Sequence, residues 1–159
     1  MVRIDSIMSN KSIGTQRRMN QKNIDKSVQI ACQLFPQRYE NATSHKAFHF
    51  AFLWKKNRLI SIGQNCADKP CAKALYFAKR FKTKHRIKYP YIHAEINALQ
   101  KVWGREQIDN SFSLVSLRVS RGCVLRNAKP CRDCQTVLSA IGVDDIWWSD
   151  KNGDILCVA

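Results

Sequence analysis

Apolar residues recur along this chain with two different periods, and the switches between them mark its elements. Ile24, Val28, Ala31 and Phe35 stand three or four apart, the spacing of a helix face, and Pro36 is expected to close that helix. From His45 to Trp54 the period drops to two, with Phe48, Phe50, Phe52 and Trp54 alternating, which predicts a strand with one deeply buried face. Lys55-Lys56-Asn57-Arg58 is a polar turn, and Leu59-Ile60-Ser61-Ile62-Gly63 resumes an extended pattern, so the pair reads as a β-hairpin. His49 falls on the face opposite the aromatics and is read as structural, since no ligand partner stands at a useful spacing.

Residues 64–70 read as a loop, with Asn65 just beyond the strand end. Ala74, Phe77, Ala78 and Phe81 predict a helix over 71–83, and Pro90 ends that section. The next helix is expected to begin near His93 and to run through Ile96, Leu99 and Trp103 to a stop at Gly104. Residues 112–120 are apolar and β-branched, a strand, and 121–130 read as a long loop. A helix then starts at Cys131, continues through Val137, Leu138 and Ile141, and is capped by Gly142. Residues 144–149 form a strand, and Asn152-Gly153 separates it from the apolar stretch 155–159. A parallel partner would need a crossover of about a dozen residues or more, so the last two strands are expected to be antiparallel.

Composition narrows the class. At 159 residues the chain is expected to form one domain over 23–159, preceded by a flexible basic tail over 1–22. No run of about 18 apolar residues exists, and the basic N-terminus lacks the apolar segment of a secretory signal. An intracellular, cytoplasmic setting with no membrane partner is therefore expected. The net charge of +15 is uneven: residues 1–105 carry 21 Lys/Arg against 5 Asp/Glu, a net +16, while residues 106–159 carry 6 against 7. Residues 69–88 hold eight Lys/Arg and no acid. That asymmetry points to polyanions or phosphorylated substrates, set against a plain solvated basic face. Seven cysteines without a secretory signal favour metal binding over a disulfide framework.

The chemistry concentrates in His93-Ala94-Glu95 and Pro130-Cys131-Arg132-Asp133-Cys134. Cys131 and Cys134, three apart, share one helix face, and a helix N-terminus favours thiolate over thiol. His93, Cys131 and Cys134 make a three-ligand Zn²⁺ set, the number a catalytic zinc site uses while keeping a position open. Glu95 stands two residues from His93, close enough to carry protons and poorly placed to be a fourth ligand. The competing reading adds Cys123, eight residues before Cys131, to close a Cys3His structural site. The carboxylate at Glu95 favours the open site, because a structural zinc has no use for it. Cys66 and Cys71 lack a second pair and read as plain thiols.

On these residues the sequence resembles the cytidine deaminase-like superfamily, whose mark is H-x-E followed by P-C-x-x-C. The likeness spans residues 24–159. It implies a three-layer α/β fold, a mixed five-stranded sheet between helices, with zinc at the starts of two helices. The antiparallel ending resembles cytidine and blasticidin-type deaminases more than deoxycytidylate or tRNA adenosine deaminases, which typically place a helix before a parallel fifth strand. The stretch Ser120-Arg121 through Ala128-Lys129-Pro130-Cys131 looks closer to small deaminase-like proteins of phages, viruses and fungi. The resemblance implies Glu95 as the catalytic residue. It further implies substrate contacts at Asn65, which matches a sugar-binding asparagine of many relatives, and at Ala94 and Arg121. Its members range from monomers to homo-oligomers.

The leading expectation is hydrolytic deamination of a cytosine-type base in a nucleoside or nucleotide, with Arg121, Arg126 or Lys129 near a phosphate. A second is deamination of cytosine or adenine within single-stranded DNA or RNA. There the basic residues 69–88 would follow the backbone, and Phe81, Tyr89 and Tyr91 would stack on bases. A third, of another class, is a non-catalytic zinc-stabilised nucleic-acid-binding module.

Overall fold

The computed structural model describes residues 19–40, 47–66, 70–84, 88 and 91–157. Most of the expected basic tail, and His45, Lys69, Arg86, Tyr89 and Pro90, lie outside the described residues. The elements run α1 (Gln21–Glu40), β1 (Ala47–Lys55), β2 (Arg58–Gln64), α2 (Ala72–Arg80), α3 (Ala94–Val102), β3 (Phe112–Ser120), β4 (Val124–Arg126), α4 (Arg132–Ala140), β5 (Asp145–Ser149) and β6 (Ile155–Cys157).

The sheet order is β2-β1-β3-β5-β6, with β4 paired to β3 off that path. β1 pairs antiparallel with β2 and β3, β3 runs parallel to β5, and β5 pairs antiparallel with β6. The sheet is therefore mixed, as expected, and the final hairpin is antiparallel. Asp150 builds its turn: Oδ1 accepts the Asn152 and Asp154 amides at 2.7 and 2.9 Å, and Gly153 takes φ +90°.

Two differences from expectation concern single elements. The sheet has six strands because β4 lies within 121–130, where a loop was expected. Three residues carry no periodicity. Their pairing is set by tertiary bonds, with Ser149 donating to the Arg126 carbonyl at 2.6 Å and accepting the Arg118 amide at 3.3 Å. Pro36 does not close α1, which continues to Glu40. Proline matches helical φ and forfeits one backbone bond, and here it sits on the exposed face of a helix anchored by Ile24, Ala31 and Phe35.

Strand alternation separates two cores. Phe48, Phe50, Phe52 and Trp54 of β1 pack with Val115, Leu117 and Val119 of β3 beneath α1. The Trp54 indole donates to Ser27 Oγ at 3.0 Å, which satisfies that buried N–H. On the other face, Ala51, Leu53 and Leu114 meet α2, α3 and α4. This is the three-layer arrangement. Helix α3 lies so close to β2 that a Cβ at Gly63 would run into the Ala94 carbonyl oxygen and the Ala98 amide nitrogen. Contact at that range needs a residue with no side chain. Among the described residues no helix is long and apolar enough to cross a membrane.

Candidate metal centre

His93 and Cys131 are both helix N-caps, the first of α3 and the second of α4. Each has extended backbone, with ψ 156° and 163°, so its side chain leaves the end of the helix rather than its flank. The helices grip these residues through their carbonyls: Asn97 N–H donates to His93 O and Gln135 N–H to Cys131 O, both at 2.9 Å. Pro130 is buried, and its carbonyl accepts from the Gln135 side chain. Cys134 follows one turn into α4 and is also buried. Two helix N-termini thus aim their partial positive charge at one spot.

There His93 Nδ1 lies 3.5 Å from Cys131 Sγ and 3.4 Å from Cys134 Sγ. All three donor atoms fall within 4.8 Å of one another. Usual Zn–S and Zn–N bond lengths at a tetrahedral ion put such atoms about 3.6 Å apart. Two sulfurs and an imidazole nitrogen suit zinc in chemistry as well as in spacing. A hydrogen bond from the Cys134 thiol, helped by the His93 ring, holds Cys131 down to about 3, so it is a thiolate at neutral pH.

Cys123 is not part of this group. It is disulfide-bonded to Cys32 of α1, with Cα atoms 5.3 Å apart, and stands in the β3–β4 turn at φ +59°. The closed Cys3His alternative therefore finds no fourth sulfur here. The bond is also one the sequence disfavoured. It joins residues 91 apart, a proximity no local spacing reports. Cys66 is exposed, and Cys71 caps α2.

Glu95, in the first turn of α3, is fully buried. Its Oε1 accepts from Ser116 Oγ at 3.3 Å and lies 3.6 Å from His49 Nε2, while Oε2 has no hydrogen-bond partner. A buried carboxylate oxygen without a donor is costly, and it marks the place where a ligand or water proton belongs. His49 and Ser116 were not anticipated here. His49 does face away from the aromatics, but that face carries the site. The signal was available: an ionisable ring on a face otherwise bearing Ala51 and Leu53 needs a partner. Burial lowers the His49 pKa from its ordinary 6.5, against a smaller upward pull from Glu95.

The remaining expected residues divide. Asn65 is beside the site, its Oδ1 accepting the His49 amide at 3.1 Å and its own amide donating to His49 O at 3.2 Å. Ala94 is fully buried, with its carbonyl oxygen toward Gly63. Arg121 is exposed in the β3–β4 turn, just past the last residue of β3, Ser120. The arginine facing His49 across the ladder is Arg118, with Arg126 as its β4 neighbour. Phe81 packs with Phe77 and Trp103, at ring centroid distances of 6.1 and 6.2 Å, as an aromatic cluster rather than a stacking platform.

Residues 21–149 match the family model described as the cytidine and deoxycytidylate deaminase zinc-binding region. Among solved structures, the chain is similar to the dCMP deaminase of the cyanophage S-TIM5 in apo form. The identity is 21% over 84% of this chain and 86% of that one, with a TM-score of 0.51. The same phage enzyme in complex with dCMP and dUMP is similar at 20% identity, over 84% and 85% of the two chains, also at 0.51. At such identities the likeness is one of fold. No curated protein sequence matches.

Proposed function

The chain belongs to the cytidine and deoxycytidylate deaminase zinc-binding family, and from that premise we propose that it hydrolytically deaminates a cytosine-type base in a nucleoside or nucleotide. The observation that carries this reading is the unpartnered Oε2 of buried Glu95, in the first turn of the helix whose N-cap His93 clusters with Cys131 and Cys134 as zinc-competent donors. His93, Cys131 and Cys134 would hold the ion. Zinc, when bound, lowers the pKa of water toward about 7 and so supplies a nucleophile at neutral pH.

The chain's own part is proton transfer. Water adds to the ring carbon bearing the exocyclic amine. Glu95 takes one proton from it and delivers it to the adjacent ring nitrogen, then moves the second to the departing amine. Water and the amine-bearing ring become the carbonyl product and ammonia, and Glu95 ends as the carboxylate it began as. One carboxylate suffices because it is emptied after the first transfer before it takes the second proton, and burial keeps bulk water from competing for its protons. Asn65, held by the His49 backbone, is the proposed sugar contact. The phage relative's complex with dCMP and dUMP supports a nucleotide as the form to test first.

The test is ammonia release from cytidine, deoxycytidine and their monophosphates by zinc-loaded protein, beside Glu95→Gln. Turnover is expected to fall by about 10²–10⁴-fold in the variant, with zinc still bound. His93→Ala, Cys131→Ser and Cys134→Ser are expected to lose both metal and turnover. Full activity in Glu95→Gln would end this reading.

One observation favours a polymer substrate. Lys73, Lys79, Arg80, Lys82, Lys84 and Lys88 are all exposed. If they follow a nucleic-acid backbone, binding should weaken steeply with salt as counterions are released, whereas mononucleotide turnover should change little.

A further inference from the structure

We propose that His49 and Ser116 are positioning residues for Glu95, a two-link hydrogen-bond chain that fixes Oε1 and thereby turns Oε2 to the reacting centre. This rests on the reading of Glu95 as the proton carrier. It adds residues from β1 and β3 that the metal motif does not contain.

His49 lies opposite Arg118 and Ala51 opposite Ser116, so His49 and Ser116 are diagonal neighbours on the face beneath α3. Around them that face carries the apolar Ala51, Leu53, Leu114, Ile146 and Trp148, with Arg118 opposite His49. Two polar side chains in such a layer need partners, and they find each other and Glu95. His49 Nε2 is 2.6 Å from Ser116 Oγ, Ser116 Oγ is 3.3 Å from Glu95 Oε1, and His49 Nε2 is 3.6 Å from the same oxygen. Ala51 opposite Ser116 leaves room for the diagonal contact.

Proton counting fixes the direction. Ser116 has one hydroxyl hydrogen. Given to His49, it would leave the buried carboxylate with no donor on either oxygen, at the full cost of an unsatisfied buried charge. Given to Glu95 Oε1, it requires the short contact to be a bond from His49 Nε2–H to Ser116 Oγ. The ring is therefore the Nε2–H tautomer, and the chain runs His49 to Ser116 to Glu95. The backbone of His49 is clamped at both ends of its peptide by Asn65, which keeps the ring at this depth. A carboxylate held by one oxygen cannot rotate its free oxygen away between its two proton transfers.

Two measurements on the zinc-loaded protein test this. The first is imidazole ¹⁵N spectroscopy of histidine-labelled protein, with the His49 ring assigned by its absence in His49→Gln. The expected result is a proton on Nε2, with a resonance that moves in both Ser116→Ala and Glu95→Gln. A proton on Nδ1 only, or a resonance indifferent to both substitutions, would overturn the proposal. The second is kinetics. His49→Leu and Ser116→Ala are expected to lose roughly 10- to 100-fold in kcat, the usual cost of removing a group that orients a catalytic one, with KM unchanged and zinc retained. His49→Gln, which keeps an N–H near the Nε2 position, is expected to recover most of that loss. A change confined to KM, or no difference between His49→Gln and His49→Leu, counts against a positioning role. If the wild-type protein releases no ammonia from any substrate, the deaminase reading fails. The ring measurement then decides the hydrogen-bond chain by itself.

Discussion

His49 carries a pH consequence set mainly by its desolvation, with His93 and Arg118 acting in the same direction and Glu95 and Cys131 against it. Its pKa is lowered from 6.5, with desolvation the largest cause, so below about 6.5 the unfolded chain takes up a proton that the folded chain resists. Stability is therefore complete above that pH and lost as pH falls below it. Urea midpoints taken from pH 7 down to about 5.5 should drop more for wild type than for His49→Gln, which has no such proton to bind. An equal drop would mean that burial does not govern this ring. The contrast with the metal donors shows what a sequence can reveal about single residues. His93, Glu95, Cys131 and Cys134 are legible because each half of the site is local, two or three residues wide at a helix start. His49 meets Ser116 across 67 residues through a strand register, and no spacing along the chain encodes that.

At the scale of elements, strong periodicity translated directly. The alternating aromatics of β1 and the apolar run of β3 gave their strands because each buries a complete face. Gly104 and Gly142, read as helix stops, both take positive φ just beyond α3 and α4. Elements without a face of their own were harder to see. β4 exists because Ser149 ties it to β3, and α1 runs through Pro36 because the buried side of the helix outweighs one missing bond. Pro36→Ala should restore an N–H to the Cys32 carbonyl and stabilise the protein by up to about 3 kcal/mol, read as a higher urea midpoint. A lower midpoint would mean that the proline shapes the helix rather than merely weakening it.

For the whole molecule, two connections hold distant parts of the chain together on opposite faces of the sheet. The Cys32–Cys123 bond ties α1 to the β3–β4 turn, and a zinc ion held by His93, Cys131 and Cys134 would join α3 to α4. They are expected to be independent. Cys123→Ser should keep its zinc while losing about 2–4 kcal/mol of stability under oxidising conditions, the usual contribution of a disulfide. Loss of zinc in that variant would return Cys123 to the metal site. Glycine 63 links these scales. Because β2 and α3 touch backbone to backbone there, any side chain must push away the helix whose first residues present His93 and Glu95. In a saturation-mutagenesis screen scored only by surviving activity, Gly63 should be as intolerant as Glu95 itself. A geneticist with that map and no structure would assign a catalytic role to a residue that has no side chain to offer. Parallel scoring of soluble protein would tell the two apart, since Gly63→Ala should lower yield and activity together and Glu95→Gln activity alone.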